Sequence, residues 1–146
     1  MTDCGSPRSA DEGRPPSHHC EVYLEVGVLP TQLAPVRVVA GELAARADFD
    51  LDAVADLRLA VDEVCSMLAT LAPLDARMRC LLRTEPDWIT VTVWIPGLRA
   101  AAVPRDTFGW RVLVTLADKV EVLGTDGSGA RSLGVRLLKA RQAGTS

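Results

Sequence analysis

Asp62 and Glu63 form an adjacent acidic pair inside a segment with a helical apolar period. A carboxylate on the polar side of a helix is either a solvated surface group or a general base. Gly97 and Gly109 follow later segments, and glycine serves either as an ordinary turn or helix-start residue or as the place where backbone amides approach a phosphate. Few other residues offer chemistry. There is no G-x-x-x-x-G-K-[ST], no G-x-G-x-x-G opening a helix after a first strand, and no nucleophile elbow. The only two histidines, His18 and His19, precede every patterned segment. A Ser-His-Asp or Cys-His site would have to borrow its base from a tail, and that class is set aside.

The cysteines point to neither a disulfide framework nor a metal centre. Cys4 and Cys20 lie in or beside the tail, Cys65 and Cys80 inside patterned segments, and no pair has CxxC spacing. His18, His19 and Cys20 with Cys4 would be poorly preorganised ligands on a flexible tail, so they read as incidental and no metal is expected.

The elements that must position the acidic pair follow from periodicity. Val22, Leu24, Val26 and Val28 alternate with Tyr23, Glu25 and Gly27, a strand with one buried side. Pro30-Thr31 reads as a break, and a helix is expected from Leu33 to Ala47 with Pro35 in its first turn. A second helix is expected from Leu51 to Leu71, capped near Asp50 and stopped by Pro73. Its apolar stripe is Val54, Leu57, Val61, Val64, Cys65 and Leu68, with Asp52, Asp56, Leu59, Glu63 and Ser66 opposite and Met67 on the shoulder. Met78, Cys80 and Leu82, then Ile89, Val91, Val93 and Ile95, mark a hairpin turned at Glu85-Pro86-Asp87. A third helix is expected near Arg105–Ala117, then strands at Lys119–Leu123 and Ser132–Lys139. The order β-α-α-β-β-α-β-β implies an α/β two-layer sandwich, a mixed, mainly antiparallel sheet with three helices on one face.

Composition agrees with one domain. The chain has 146 residues, 48% hydrophobic and 24% charged, enough for one core and too few for two. Its 16 Lys+Arg against 19 Asp+Glu give a net charge of -3, which argues against nucleic acid as a partner. Residues 1–19 are rich in Ser, Pro, Gly and charge and read as a disordered tail; residues 20–141 form the domain, and 142–146 fray. No apolar run reaches the length of a membrane span, and Met1 to His19 lacks the apolar segment of a secretory signal, so a cytoplasmic protein is expected.

Against this background a family resemblance stands out. Asp56-Leu57-Arg58-Leu59-Ala60-Val61-Asp62-Glu63-Val64-Cys65 resembles the first nucleotide-site helix of the GHKL ATPases. Phe108-Gly109-Trp110-Arg111-Val112-Leu113, followed by Ala117-Asp118-Lys119-Val120-Glu121-Val122, resembles that superfamily's last glycine box, helix and strand. Element order and size, over about residues 20–140, resemble the bacterial anti-sigma factor serine kinases of the RsbW type, nearest the mycobacterial and actinobacterial anti-sigma-F branch. The resemblance implies a Bergerat-like fold and a protein that holds a sigma-F- or sigma-B-like alternative sigma factor away from RNA polymerase in a stress response. It implies homodimerisation and release of the sigma factor by an anti-anti-sigma protein of the STAS type. In active members Mg-ATP phosphorylates a serine of that antagonist, and the added charge breaks the complex.

Residue by residue, the kinase part of the resemblance is incomplete. Glu63 stands at the family's catalytic base, and Gly97, Gly109 and Thr107 fall in its ATP-contacting loops, Thr107 in place of a glycine. Met67 replaces the Mg-binding asparagine, and Ile95 replaces the aspartate that reads the adenine amino group. The step from Gly97 to Gly109 leaves room only for a shortened ATP lid, and the family's final-strand threonine falls at Leu133-Gly134. Each lost polar contact costs roughly 1–3 kcal/mol of nucleotide affinity. Anti-sigma binding is therefore the leading expectation and an ATP-dependent serine kinase the alternative. The acidic run Asp48, Asp50, Asp52 and Asp56 reads as a soluble helix start, with a basic partner surface as the second reading.

Overall fold

The computed structural model describes residues 19–98, 102–124 and 132–142. The tail expected over residues 1–19 and the fraying expected over 142–146 lie outside these residues apart from positions 19 and 142, as do Cys4 and His18. The elements run β1 (Cys20–Gly27), α1 (Pro30–Arg46), α2 (Leu51–Thr70), β2 (Arg77–Thr84), β3 (Trp88–Pro96), α3 (Phe108–Leu116), β4 (Lys119–Leu123) and β5 (Ser132–Ala140). This is the expected order.

The five strands form one sheet in the order β1-β2-β3-β5-β4, and every neighbouring pair is antiparallel. The mixed sheet expected from the pattern thus becomes a wholly antiparallel one. The crossover through α3 does make β4 run parallel to β3, but β5 inserts between them and opposes both. Register lines the inward residues up across all five strands: Leu24, Cys80, Val93, Val135 and Val122 are successive partners. The neighbouring row, Tyr23, Leu81, Thr92, Arg136 and Glu121, faces away from the helices.

Helix ends follow from capping chemistry. Asp50 caps α2, its Oδ1 accepting from the Ala53 amide at 2.7 Å, and Thr107 caps α3, its Oγ1 accepting from the Trp110 amide at 3.2 Å. The helix expected from Leu33 instead starts at Pro30, because proline is well suited to the first helical position. Pro35 consequently sits beyond the first turn, where its missing N–H leaves the Thr31 carbonyl without an intrahelical donor. α2 lies at the centre of the helical layer, packed against α1 and α3 and over β3 and β5. Its stripe Leu57, Ala60, Val61, Val64, Cys65 and Leu68 is buried.

Lys139 departs from the pattern. It takes an inward position on β5, is only 8% exposed, and donates from Nζ to the Leu116 carbonyl at 2.9 Å while meeting Asp56 Oδ2 at 3.4 Å. One ammonium thus joins the sheet, the C-terminal end of α3 and the side of α2. Lys139→Ala leaves that carbonyl and carboxylate without their donor. The expected cost is about 2 kcal/mol, a Tm lower by roughly 5–10 °C in differential scanning calorimetry. An unchanged Tm would remove the tie.

Cys65 on α2 and Cys80 on β2 are free and fully buried. The hydrogen bond between their thiols, followed by burial, pushes the Cys65 pKa well above the ordinary 9.0, and the Asp62 charge adds to this. The folded chain therefore keeps the Cys65 proton where the unfolded chain releases it. That contribution to stability is whole below pH 9.0 and is lost as the pH rises above it. Urea midpoints at about pH 8 and about pH 10 should differ more for the wild type than for Cys65→Val.

Candidate functional site

Glu63 and Met67 are one helical turn apart on α2, so their side chains leave the same side of the helix. That side meets the start of α3. A Cβ built on Gly109 would run into the Glu63 carboxylate, with Met67 Cε 3.4 Å away. A larger residue at 109 would have to push the ends of these two flexible side chains aside. The carboxylate thus lies beside the N-terminal end of a helix, where the unpaired amides and the helix dipole favour negative charge. Thr107, two residues earlier, spends its hydroxyl on the α3 cap.

Gly97 does not join this cluster. It takes a φ of +75°, the left-handed region that favours glycine, at the end of β3. It borders a separate hollow of about 450 Å³ lined by Leu71, Pro73, Ala76, Ile95, Pro96 and Leu98. Leu133 is buried, and Gly134 is needed for packing, since a Cβ there would come within 2.6 Å of the Val93 carbonyl.

Among the described residues, the ones at these positions do not by themselves make a full set of ligands for Mg-ATP. A magnesium ion takes about six oxygen ligands, and the side chain that accompanies Glu63 at the start of α3 is the Met67 thioether, which is a poor one. The neighbouring Asp62 carboxylate is engaged by Arg37 Nη1 at 3.2 Å. Among the described residues, those lining the hollow beside Gly97 offer no side-chain acceptor to an adenine amino group, and Ile95, 1% exposed, belongs to the core. Among the described residues no cluster of three or more His, Cys, Asp or Glu stands ready for a metal ion.

A second constellation lies on the outer side of α1 and α2. Arg37, Ala55, Arg58, Leu59 and Asp62 line a shallow hollow of about 440 Å³. Leu59 is 59% exposed, and Val38, next to Arg37, is 56% exposed. The arginine stems lie along the helices: Arg58 crosses Gly41 so closely that a Cβ there would sit 2.7 Å from its Cδ. Apolar surface beside the Arg58 guanidinium and the Arg37–Asp62 ion pair suits a polypeptide with both apolar and charged side chains. Arg37, Val38 and Arg58 go unnoticed in the sequence. The available signal was Leu59, an apolar residue on the polar side of α2.

The fold is that of a histidine kinase-like ATPase domain, and the model of that family matches residues 26–131. The chain is also 37% identical over 127 residues to the anti-sigma-F factor RsbW of two Mycobacterium tuberculosis strains, covering 86% of this chain and 76% of those proteins. It belongs to the histidine kinase-like ATPase family, in the branch of the RsbW proteins. No helix among the described residues is long and apolar enough to cross a membrane.

Proposed function

We propose that this chain is an anti-sigma factor that sequesters a sigma-F- or sigma-B-like alternative sigma factor and thereby regulates transcription. The observation that carries this reading is the hollow on α1 and α2, which exposed Leu59 lines together with Arg37 and Arg58. Capture is a surface event and needs neither metal nor nucleotide. A STAS-type anti-anti-sigma protein competes for the same helices and releases the sigma factor. The protein works in the cytoplasm as a homodimer. Size-exclusion chromatography and in vitro transcription with the sigma-F- and sigma-B-like sigma factors of the same organism test this, with a stable complex and blocked transcription as the expected result. Elution as separate species at micromolar concentration would end the proposal.

The alternative, a serine kinase acting on the antagonist, is favoured by one observation: Glu63, the candidate base, abuts the start of α3. The two readings part at Glu63→Ala. For an anti-sigma factor that works by capture alone, this variant binds the sigma factor within about 2-fold of wild type, and neither protein transfers labelled phosphate at millimolar Mg-ATP. Transfer by the wild type that disappears in Glu63→Ala would establish the kinase.

A further inference from the structure

α3 is unusual in what it leaves uncovered. Six of its nine residues are Phe108, Trp110, Val112, Leu113, Val114 and Leu116, yet only Leu113 is buried. Phe108 is 80% exposed and Val114 50% exposed. At 100° per residue, Phe108, Thr115, Arg111 and Val114 occupy one contiguous arc opposite Leu113. An exposed Phe and Val on so short a helix is apolar surface without a partner among the described residues.

The charges beside this strip indicate what covers it. Arg111 lies within the arc, and Arg105 is held at its margin by stacking on Trp110, its Cζ 5.5 Å from the ring centroid. Neither guanidinium forms an ion pair among the described residues. The strip therefore repeats the chemistry of the α1–α2 hollow, apolar side chains set beside arginines, on the other flank of α2.

We infer that α3 is a second docking strip for the captured sigma factor, taking an amphipathic segment that sets apolar side chains on Phe108 and Val114 and carboxylates against Arg105 and Arg111. This inference rests on the anti-sigma reading. The polypeptide gains from engaging both strips because the second contact is made at high effective concentration.

The test is isothermal titration of a sigma-F- or sigma-B-like sigma factor of the same organism into wild type, Phe108→Ser, Arg111→Glu and Leu59→Asp. Phe108→Ser and Arg111→Glu should each weaken binding roughly 10-fold or more, Arg111→Glu also flattening the salt dependence. Both positions are exposed, so the Tm should hold. Wild-type affinity in both α3 variants, with binding lost in Leu59→Asp, overturns the α3 strip and leaves the anti-sigma reading standing. No binding by the wild type overturns both. Sedimentation velocity closes the remaining case: a wild-type dimer that Phe108→Ser converts to monomer makes a second copy the occupant and the inference wrong.

Discussion

The double variant Arg37→Glu/Leu59→Asp is expected to lose sigma-factor binding by at least about 100-fold while its Tm stays within a few degrees of wild type. Two effects combine. A carboxylate at position 59 places charge on the apolar floor of the hollow, where a partner would have to desolvate it. A carboxylate at position 37 turns an attractive contact into a repulsive one and faces Asp62, the group Arg37 now pairs with at 3.2 Å. The fold loses little, because Leu59 is well exposed and a surface ion pair contributes about 1 kcal/mol or less. Binding is read by titration calorimetry and stability by calorimetric melting. Near-wild-type affinity would move the docking surface away from α1 and α2. A drop in affinity matched by an equally large drop in Tm would mean that the hollow is structural.

Much of the fold is legible in the chain because apolar period translates directly into buried faces. Val22, Leu24 and Val26, or Ile89, Val91, Val93 and Ile95, have one reading as strands, and the α2 stripe has one reading as a helix. What period does not carry is the partner of each strand. That β5 lies between β3 and β4, making the sheet wholly antiparallel, is decided by long-range pairing. The start of α1 is hidden for a local reason, since Pro30 reads equally as a breaker and as a first helical residue. Lys139 is hidden because a lysine at an inward strand position makes sense only once Asp56 and the Leu116 carbonyl are known to meet it.

The site is legible in part. Glu63, Met67 and Gly109 meet where α2 touches the start of α3, a contact that nothing in their spacing announces. Gly97 shows the opposite case: its left-handed φ explains the residue without any ligand, and it borders a different hollow. Surface constellations such as Arg37 with Leu59, or Arg111 with Phe108, have no period to announce them. They exist only when helix faces are oriented by the core beneath, so exposure found them.

Ile95→Asp, which restores the family's adenine-reading residue type, is expected to damage the protein rather than return nucleotide binding. Ile95 is 1% exposed and shares its buried face with Val91 and Val93. Exchanging it for aspartate removes a core side chain and places a carboxylate within the hydrophobic core. The summed cost is about 4 kcal/mol or more, lowering the Tm by roughly 10–15 °C. Such a loss is a large share of the ~5–15 kcal/mol that holds a domain of this size together. Ile95→Val separates volume from charge and should cost only about 1 kcal/mol. Met67→Asn, at a half-buried position, is the milder half of the restoration and should fold, yet bind no ATP at millimolar concentration while position 95 stays apolar. Calorimetry for the folds and equilibrium dialysis for ATP decide the matter. If Ile95→Asp/Met67→Asn melts with the wild type and binds ATP at micromolar concentration, the cradle is intact and merely unliganded. If the variant melts early and stays nucleotide-free, position 95 has been taken into the core, and two substitutions do not bring back the nucleotide site.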